Sequence, residues 1–214
     1  MDFLTEQLEK YVELHTTPEP DILKKLNRET YSKVLMPRML SGHVQGRFLK
    51  MISGMICPKQ ILEIGTFTGY SAICLSEGLA KGGLLHTIDV NEELSEMVNS
   101  YVKTAGAENK IKTYTGIALN IIPTIKETFD LVFIDADKKN YVNYFNLVID
   151  KVRVGGYIMA DNVLWGGKVA EPVNKADEET LGIIEYNDMV IKNKRVESML
   201  VPIRDGIMIS RKIA

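Results

Sequence analysis

Residues 60–71 read QILEIGTFTGYS, and this stretch decides the predicted fold. A short apolar run that carries one carboxylate is followed by two glycines and then by a new apolar period. This order predicts a strand, a tight turn and the start of a helix. Since α/β proteins bind small-molecule cofactors at such a turn, we expect a cofactor site here.

The residues around Gly65 distinguish between two kinds of cofactor. A dinucleotide fingerprint has further glycines two and five positions later, so that a pyrophosphate can approach bare backbone. This chain has Phe67 and Tyr70 at those positions, which disfavours a nucleotide-dependent oxidoreductase. Glu63, at the end of the predicted strand, would repel a pyrophosphate and attract an amino group or a sulfonium. We therefore expect a cationic cofactor.

The bulk composition limits the class of protein. With 214 residues, of which 45% are hydrophobic and 25% charged, the chain has the composition of one globular domain with a full core. The net charge of −2 and the lack of a basic block make nucleic acid an unexpected partner. We expect a cytoplasmic protein with no membrane partner, because no apolar run reaches the length of a membrane span. Cys57 and Cys74 lie among apolar residues, so buried, reduced thiols are expected.

The first part of the chain is predicted to be helical. Apolar residues at helical spacing predict a first helix over residues 2–15. Asp21 is expected to cap a second helix, and Ser41 a third. We interpret residues 1–57 as a helical appendage of a single domain that spans the whole chain, with an α/β core over residues 58–214.

From residue 60 onward, strand-like and helix-like patterns alternate, which is typical of a parallel sheet covered on both faces. The predicted strands cover residues 60–65, 84–89, 110–115, 129–135 and 154–160. The predicted helical segments cover residues 70–81, 92–105, 117–127, 139–150 and 175–193. Residues 198–203 and 207–210 read as two strands joined by a glycine-containing turn, so we expect an antiparallel strand to end the sheet.

Polar residues stand at the carboxyl ends of four predicted strands, where ligands of parallel sheets collect. They are Glu63 with Gly65, Asp89, Asp135 with Asp137, and Asp161 with Asn162. Asp89 follows Glu63 by one strand-helix-strand step, and its carboxylate is placed to accept the hydroxyls of a ribose. The alternative is that Asp89 caps the next helix near Asn91.

Asp135, Asp161 and Asn162 offer oxygen ligands from two strand ends, which suits a hard divalent cation. The alternative is a helix cap and a turn, where Asp and Asn are also common. Lys138 follows Asp135 by three residues, and a lysine beside carboxylates is usually a solvated ion pair. Close to a divalent cation, however, a lysine loses its proton more readily and can act as a general base.

Three motifs carry a resemblance to a known family. Residues 61–71, 129–141 and 161–167 resemble the caffeoyl-CoA and catechol O-methyltransferases, which are cation-dependent enzymes that use S-adenosylmethionine (SAM). The resemblance runs from about residue 39 to the C-terminal hairpin. It implies a Rossmann-like class I methyltransferase fold, with a seven-stranded, mostly parallel sheet, an antiparallel last strand and helices on both faces.

The resemblance also implies roles for individual residues. Those that would contact SAM are Met39, Ser41, Glu63, Gly65, Thr66, Ser71, Asp89, Gly116, Ala118, Asp135 and Asp137. Those that would hold the cation, Mg²⁺ in first place and Ca²⁺ or Mn²⁺ as alternatives, are Asp135, Asp161 and Asn162. Lys138 would be the catalytic base, and the aromatic residues that would contact the substrate are Tyr141, Tyr144 and Trp165. The family habit is a homodimer.

The implied reaction is methyl transfer to a hydroxyl of a catechol-type phenolic small molecule, which includes caffeoyl-CoA-like compounds. One alternative from the same broad family is methylation of hydroxyuridine in transfer RNA, and another is a SAM-binding protein without catalysis. Asp137 and Asn140 agree with the small-molecule branch. The acceptor itself stays open, as do the roles of residues 1–38 and 168–177.

Overall fold

The computed structural model describes residues 4–172, 174 and 177–214. Within these residues the helices are α1 Glu6–Leu14, α2 Asp21–Lys33, α3 Gly42–Ile56, α4 Tyr70–Ser76, α5 Ser95–Thr104, α6 Ala118–Ile121, α7 Tyr141–Val148 and α8 Glu178–Lys192. The strands are β1 Gln60–Ile64, β2 Leu84–Asp89, β3 Ile111–Thr115, β4 Phe129–Ile134, β5 Val152–Asp161, β6 Val196–Val201 and β7 Ile207–Lys212. Residues 2 and 3 of the first predicted helix, and 175 and 176 of the last, lie outside the described residues.

The seven strands form one sheet with the order β3-β2-β1-β4-β5-β7-β6. The pairs β1 with β4, β4 with β5, and β2 with β3 are parallel, whereas β7 is antiparallel to both β5 and β6. This arrangement confirms the predicted class I methyltransferase fold with an antiparallel last strand. Strand β4 reads FDLVFI and is buried along almost its whole length, as expected for a strand covered on both faces.

Three local expectations were wrong. Asp21 is the first residue of α2 and not its cap, because Pro20 occupies the N-cap position. Ser41 does stand at the N-cap of α3, but it has helical dihedral angles, whereas a capping side chain needs an extended backbone to reach the first turn. Cys57 is exposed, because it ends α3 in the left-handed conformation with a φ of 51°; Cys74 is buried as expected.

The chain divides into two compact units. One comprises Leu4–Gln60 with Thr66–Ile117, and the other comprises Ile61–Gly65 with Ala118–Ala214. The division of a single domain at residue 57 stays a prediction. Across the described part of the chain, no helix combines the length and the apolar character that a membrane crossing requires.

Candidate active site

Strands β1 and β4 end side by side, and their register brings Gly65 against Asp135. Ile64 pairs with Ile134, and the backbone N–H of Asp135 donates to the carbonyl of Ile64 at 2.8 Å. A Cβ atom on Gly65 would lie 1.8 Å from the carbonyl oxygen of Asp135, and the φ of Gly65 is +105°. Only glycine fits both the space and the conformation. Glu63, two residues earlier, is fully buried.

Lys138 is hydrogen-bonded both to the residue that follows β4 and to a buried side chain of the same unit. It lies in a 3-10 turn, Lys138–Asn140, and is only 6% exposed. Its Nζ atom donates to Asp135 Oδ1 at 2.9 Å and to the hydroxyl of Tyr141 at 2.8 Å. The predicted base is therefore fixed between a strand-end carboxylate and a phenol.

Tyr141 is fully buried at the start of α7. Its hydroxyl accepts from Lys138 and donates to the backbone carbonyl of Asp161 at 3.0 Å. Burial, and then the negative charge of Asp135, raise the pKa of Tyr141 well above its usual value. The hydroxyl therefore keeps its proton at neutral pH, and it links Lys138 to the end of β5.

Asp135 and Asp161 lie at the carboxyl ends of two neighbouring strands, β4 and β5. Ile134 pairs with Ala160, so the two aspartates leave adjacent parallel strands at the same level. Asp161 is 3% exposed, and its Oδ1 atom accepts from the backbone N–H of Asn162 at 2.8 Å. Asn162 has a φ of 58°, a left-handed conformation that Asn tolerates better than most residues.

The set predicted to hold a cation consists of the carboxylates of Asp135 and Asp161 and the amide of Asn162, and its binding of a cation stays a prediction. Among the described residues, no group of three or more His, Cys, Asp or Glu side chains is gathered in a way that could hold a metal ion. The predicted set contains only two such residues, and its third member is an amide. Its oxygen chemistry fits Mg²⁺, Ca²⁺ or Mn²⁺ and does not fit a metal that prefers thiolate or imidazole ligands.

Asp137 is held by side chains on both of its carboxylate oxygens. Oδ1 accepts from the hydroxyl of Tyr144, and Oδ2 accepts from Nδ2 of Asn140 at 2.5 Å. Burial, and then the hydrogen bond to Asp137, raise the pKa of Tyr144. Asp137 is therefore a fixed acceptor at the start of the 3-10 turn that carries Lys138.

Trp165 is the only one of the three predicted substrate residues that is part-exposed; Tyr141 and Tyr144 are buried. Its ring centroid lies 5.8 Å from Lys138 Nζ. The turn that carries it is held by the β6–β7 hairpin, because Asp205 Oδ1 accepts from the backbone N–H of Gly166 at 2.6 Å.

In the other compact unit, Asp89 is held by backbone donors. Its Oδ2 atom accepts from the N–H of Phe67 at 2.7 Å, and its Oδ1 atom accepts from the N–H of Asn91 at 2.9 Å. The cap of the following 3-10 turn is Asn91, whose own side chain accepts from the N–H of Glu93. Each Asp89 oxygen keeps a second lone pair with which it can accept from a ligand.

A shallow cleft surrounds Asp89. Its lining residues are Thr66, Phe67, Asp89, Asn91, Leu94, Ser95, Val98, Thr113, Tyr114 and Thr115. The hydroxyl of Thr66 is hydrogen-bonded to that of Thr87, and the N–H of Gly116 donates to the carbonyl of Asp89 at 2.7 Å. The structure thus brings together three of the predicted cofactor residues: Thr66, Asp89 and Gly116.

The remaining predicted cofactor residues lie on helices and turns. Ser41 and Ser71 are buried, Met39 is 58% exposed at the end of a 3-10 turn, and Ala118 is buried as the first residue of α6. Their contacts with SAM stay predictions.

Four residues that shape this site had no site role predicted from the sequence. Phe67 acts through its backbone N–H, and Gly182 acts through its lack of a side chain. Asn187 and Asp205 act through side chains that are hydrogen-bonded to the backbone of Val163 and Gly166. Of these, only Gly182 left a readable signal, since an isolated glycine inside a helical pattern often marks close packing.

Residues 13–213 match the model of the O-methyltransferase family. This chain belongs to that family, and it is therefore an O-methyltransferase. It is 35% identical over 207 residues to a caffeoyl-CoA O-methyltransferase of Petroselinum crispum, covering 92% of this chain and 86% of that enzyme. It is 34% identical over 206 residues to caffeoyl-CoA O-methyltransferase 2 of Populus trichocarpa, covering 91% and 83% of the two chains.

Solved structures of the same class superpose on nearly the whole chain. The O-methyltransferase of Bacillus cereus, in complex with S-adenosylhomocysteine, has a TM-score of 0.89 and 28% identity, with 96% of this chain and 97% of that chain covered. The O-methyltransferase TomG of Streptomyces achromogenes, in complex with SAM, has a TM-score of 0.91 and 26% identity, with 99% and 100% covered. These similarities confirm the fold class and the family expected from the sequence.

Proposed function

We propose that this O-methyltransferase transfers the methyl group of SAM to a hydroxyl of a catechol-type small molecule and that it needs a divalent cation. The observation that carries the proposal is the placement of Lys138, whose ammonium is bonded to Asp135 at the strand edge that also presents Asp161. The names of the caffeoyl-CoA O-methyltransferase relatives support the same substrate class.

SAM is the proposed methyl donor, as the SAM and S-adenosylhomocysteine complexes of similar structures support. Asp89 is proposed to accept the ribose hydroxyls, because its two oxygens are already held in place by backbone N–H groups. Glu63 and Gly65 are proposed to face the methionine part, and Asp137 with Ala118 the adenine. The further proposed contacts are Met39, Ser41, Thr66, Ser71, Gly116 and Asp135.

Asp135, Asp161 and Asn162 are proposed to hold the cation. When bound, a divalent cation there would neutralise Asp135, favour the neutral form of Lys138 and acidify an acceptor hydroxyl. The protein's own contribution is to place Asp135 and Asp161 at the ends of adjacent strands, with Asn162 directly after Asp161.

Lys138 is proposed to be the general base. It accepts the proton of the acceptor hydroxyl on Nζ; the oxygen then forms a bond to the methyl carbon as the carbon–sulfur bond of SAM breaks, which leaves S-adenosylhomocysteine. In the ligand-free protein Nζ is paired with Asp135, and the form of Lys138 that acts as base is the neutral amine. Tyr141 orients Nζ throughout, because it accepts one of its hydrogen bonds.

Trp165 is the proposed aromatic wall for the acceptor, because it is part-exposed and its ring lies beside Lys138. Substrate contact by Tyr141 and Tyr144 stays a prediction; in the structure their hydroxyls are bonded to Lys138 and Asp137.

Chelation tests the cation requirement. We expect EDTA to abolish transfer of tritium from methyl-labelled SAM to caffeic acid, and excess Mg²⁺ to restore it. Parallel reactions with caffeoyl-CoA and with unmodified and hydroxylated transfer RNA distinguish the acceptor classes. EDTA-resistant methylation would remove the cation from the proposal, methylation of hydroxylated transfer RNA alone would replace the acceptor, and SAM binding without any turnover would favour a non-catalytic protein.

We also propose that the protein is a homodimer, and its cytoplasmic location stays a prediction. Helix α1 buries none of its residues, and its exposed apolar side chains include Leu8, Tyr11 and Leu14. A second copy of the chain would cover them. Light scattering coupled to size-exclusion chromatography should give twice the mass of the chain, and Leu8→Glu with Leu14→Glu should halve it. A monomeric wild type would contradict the proposal.

A further inference from the structure

Helix α8 packs directly against the turn that carries Lys138. Gly182 is a buried residue inside this helix. A Cβ atom at Gly182 would lie 2.7 Å from the carbonyl oxygen of Lys138, 2.7 Å from Cα of Lys139 and 3.1 Å from its backbone nitrogen. These atoms belong to the backbone, so no side-chain rotation can make room for a methyl group. The requirement for glycine is one of space alone, since Gly182 has no left-handed φ.

One helical turn further along, α8 contacts the side chain that holds the Lys138 ammonium. The ring of Tyr186 meets the ring of Tyr141 edge-on, with centroids 5.5 Å apart and an interplanar angle of 83°. Positions four apart share one face of a helix. The same face therefore sets the backbone of Lys138 through Gly182 and the phenol that accepts from its Nζ atom through Tyr186.

The next residue of α8 reaches the other strand end. Asn187 donates from Nδ2 to the carbonyl of Val163 at 2.9 Å, and Val163 directly follows Asn162. A single helix is thus in contact with both turns that carry the proposed chemistry. Displacement of a reacting group by about 1 Å can cost about 100-fold in rate. The position of α8 relative to these two turns therefore matters for catalysis.

We propose that Gly182 is a positioning residue for Lys138: its lack of a side chain lets α8 approach closely enough to fix the ammonium beside Asp135. This inference rests on the proposed role of Lys138 as base. It adds a residue that touches neither substrate nor cofactor and acts only through the Lys138 turn.

Gly182→Ala tests the proposal, with Gly54→Ala as the matched control. Gly54 also lies inside a helix, α3, but a Cβ there meets no atom within 4 Å. With caffeic acid and methyl-labelled SAM, we expect Gly182→Ala to lower kcat by roughly 10- to 100-fold and to leave the KM for SAM within about twofold of wild type. Gly54→Ala should keep both constants.

A double-mutant cycle separates positioning from a general loss of structure. In single-turnover reactions, Gly182→Ala should have no further effect once Lys138→Ala is present, because the group that it displaces is gone. Equal fold-losses in both backgrounds, or a Gly182→Ala enzyme with wild-type kcat, would overturn the inference.

A second variant keeps the test open if Gly182→Ala does not fold. Tyr186→Leu removes bulk from the same face of α8 and should also lower kcat selectively; an unchanged kcat would count against the inference. If Lys138→Ala itself keeps full turnover, the proposed role of Lys138 as base has failed, and the positioning role fails with it. If Lys138→Ala is inactive and both α8 variants are fully active, only the positioning role has failed.

Discussion

Two strand-end aspartates are held in different ways. Asp89, at the end of β2, has its carboxylate oxygens bonded to the backbone N–H groups of Phe67 and Asn91. Asp135, after β4, is bonded to the side-chain ammonium of Lys138, which is itself 6% exposed. Backbone amides neither titrate nor leave, whereas an ammonium can lose its proton and rotate.

This difference agrees with the two roles proposed above, SAM binding for Asp89 and a part in the chemistry for Asp135. Asp89 is held by backbone donors whose charge does not change, which suits recognition of ribose hydroxyls. Asp135 is bonded to a group whose charge can change during a reaction. We therefore expect substitutions of Asp89 to affect mainly the binding of SAM. Substitutions of Lys138, the partner of Asp135, should affect mainly turnover.

Lys138→Ala should give the largest effect. Loss of a general base costs about 10²- to 10⁴-fold in rate, so kcat should fall by that range while the Kd for SAM, measured by calorimetry, stays within about twofold. Lys139→Ala is the control, since Lys139 lies in the same turn but is exposed. An enzyme that keeps its kcat without Lys138, or that loses SAM affinity instead, would break the contrast between the two aspartates.

Asp89→Ala should give the next largest effect. Charged hydrogen bonds contribute about 1.5–3 kcal/mol, so the KM for SAM should rise by roughly 10- to 100-fold, with a kcat within a few-fold of wild type. Glu92→Ala, which removes an exposed carboxylate nearby, should leave the KM unchanged. A loss confined to kcat would show that a backbone-held carboxylate takes part in chemistry after all.

The strand-end residues could be predicted because they depend on local patterns. Apolar runs such as FDLVFI predict a buried strand. Parallel topology then places the carboxyl ends of neighbouring strands side by side, as found for Asp135 and Asp161. The turn at Gly65 was equally readable, because its glycine and the preceding strand lie in one short stretch.

The distant residues that pack against these strand ends could not be predicted in the same way. An isolated glycine in the α8 pattern indicates close packing, but it does not identify the turn that α8 approaches there, which is distant in the sequence. Cys57 illustrates the same limit, because its apolar neighbours indicated burial but the left-handed end of α3 exposes it. Periodicity reports which face of an element is buried, and it does not report which distant backbone lies against that face.

Tyr141→Phe should give a smaller effect than the substitutions of Lys138 and Asp89. It sharpens the comparison on the side of Asp135, because Tyr141 accepts a hydrogen bond from Lys138, the partner of Asp135. The change removes the acceptor for Lys138 Nζ and the donor to the buried carbonyl of Asp161. Each of these two buried hydrogen bonds contributes about 0.5–1.5 kcal/mol, so the free energy of unfolding in urea should fall by about 1–3 kcal/mol.

Tyr186→Phe is the matched control for this change. Tyr186 is equally buried and packs edge-on against Tyr141, but its hydroxyl has no hydrogen-bond partner among the described residues. Its removal should leave stability nearly unchanged. Because burial raises the pKa of Tyr141 above its usual value near 10, its contribution is complete below that pH and is lost only as the pH rises beyond it. The difference in stability between wild type and Tyr141→Phe should therefore be constant from about pH 6 to about pH 9. Equal losses from the two phenylalanine variants would mean that the Tyr141 hydroxyl does not hold Lys138 and the end of β5 together.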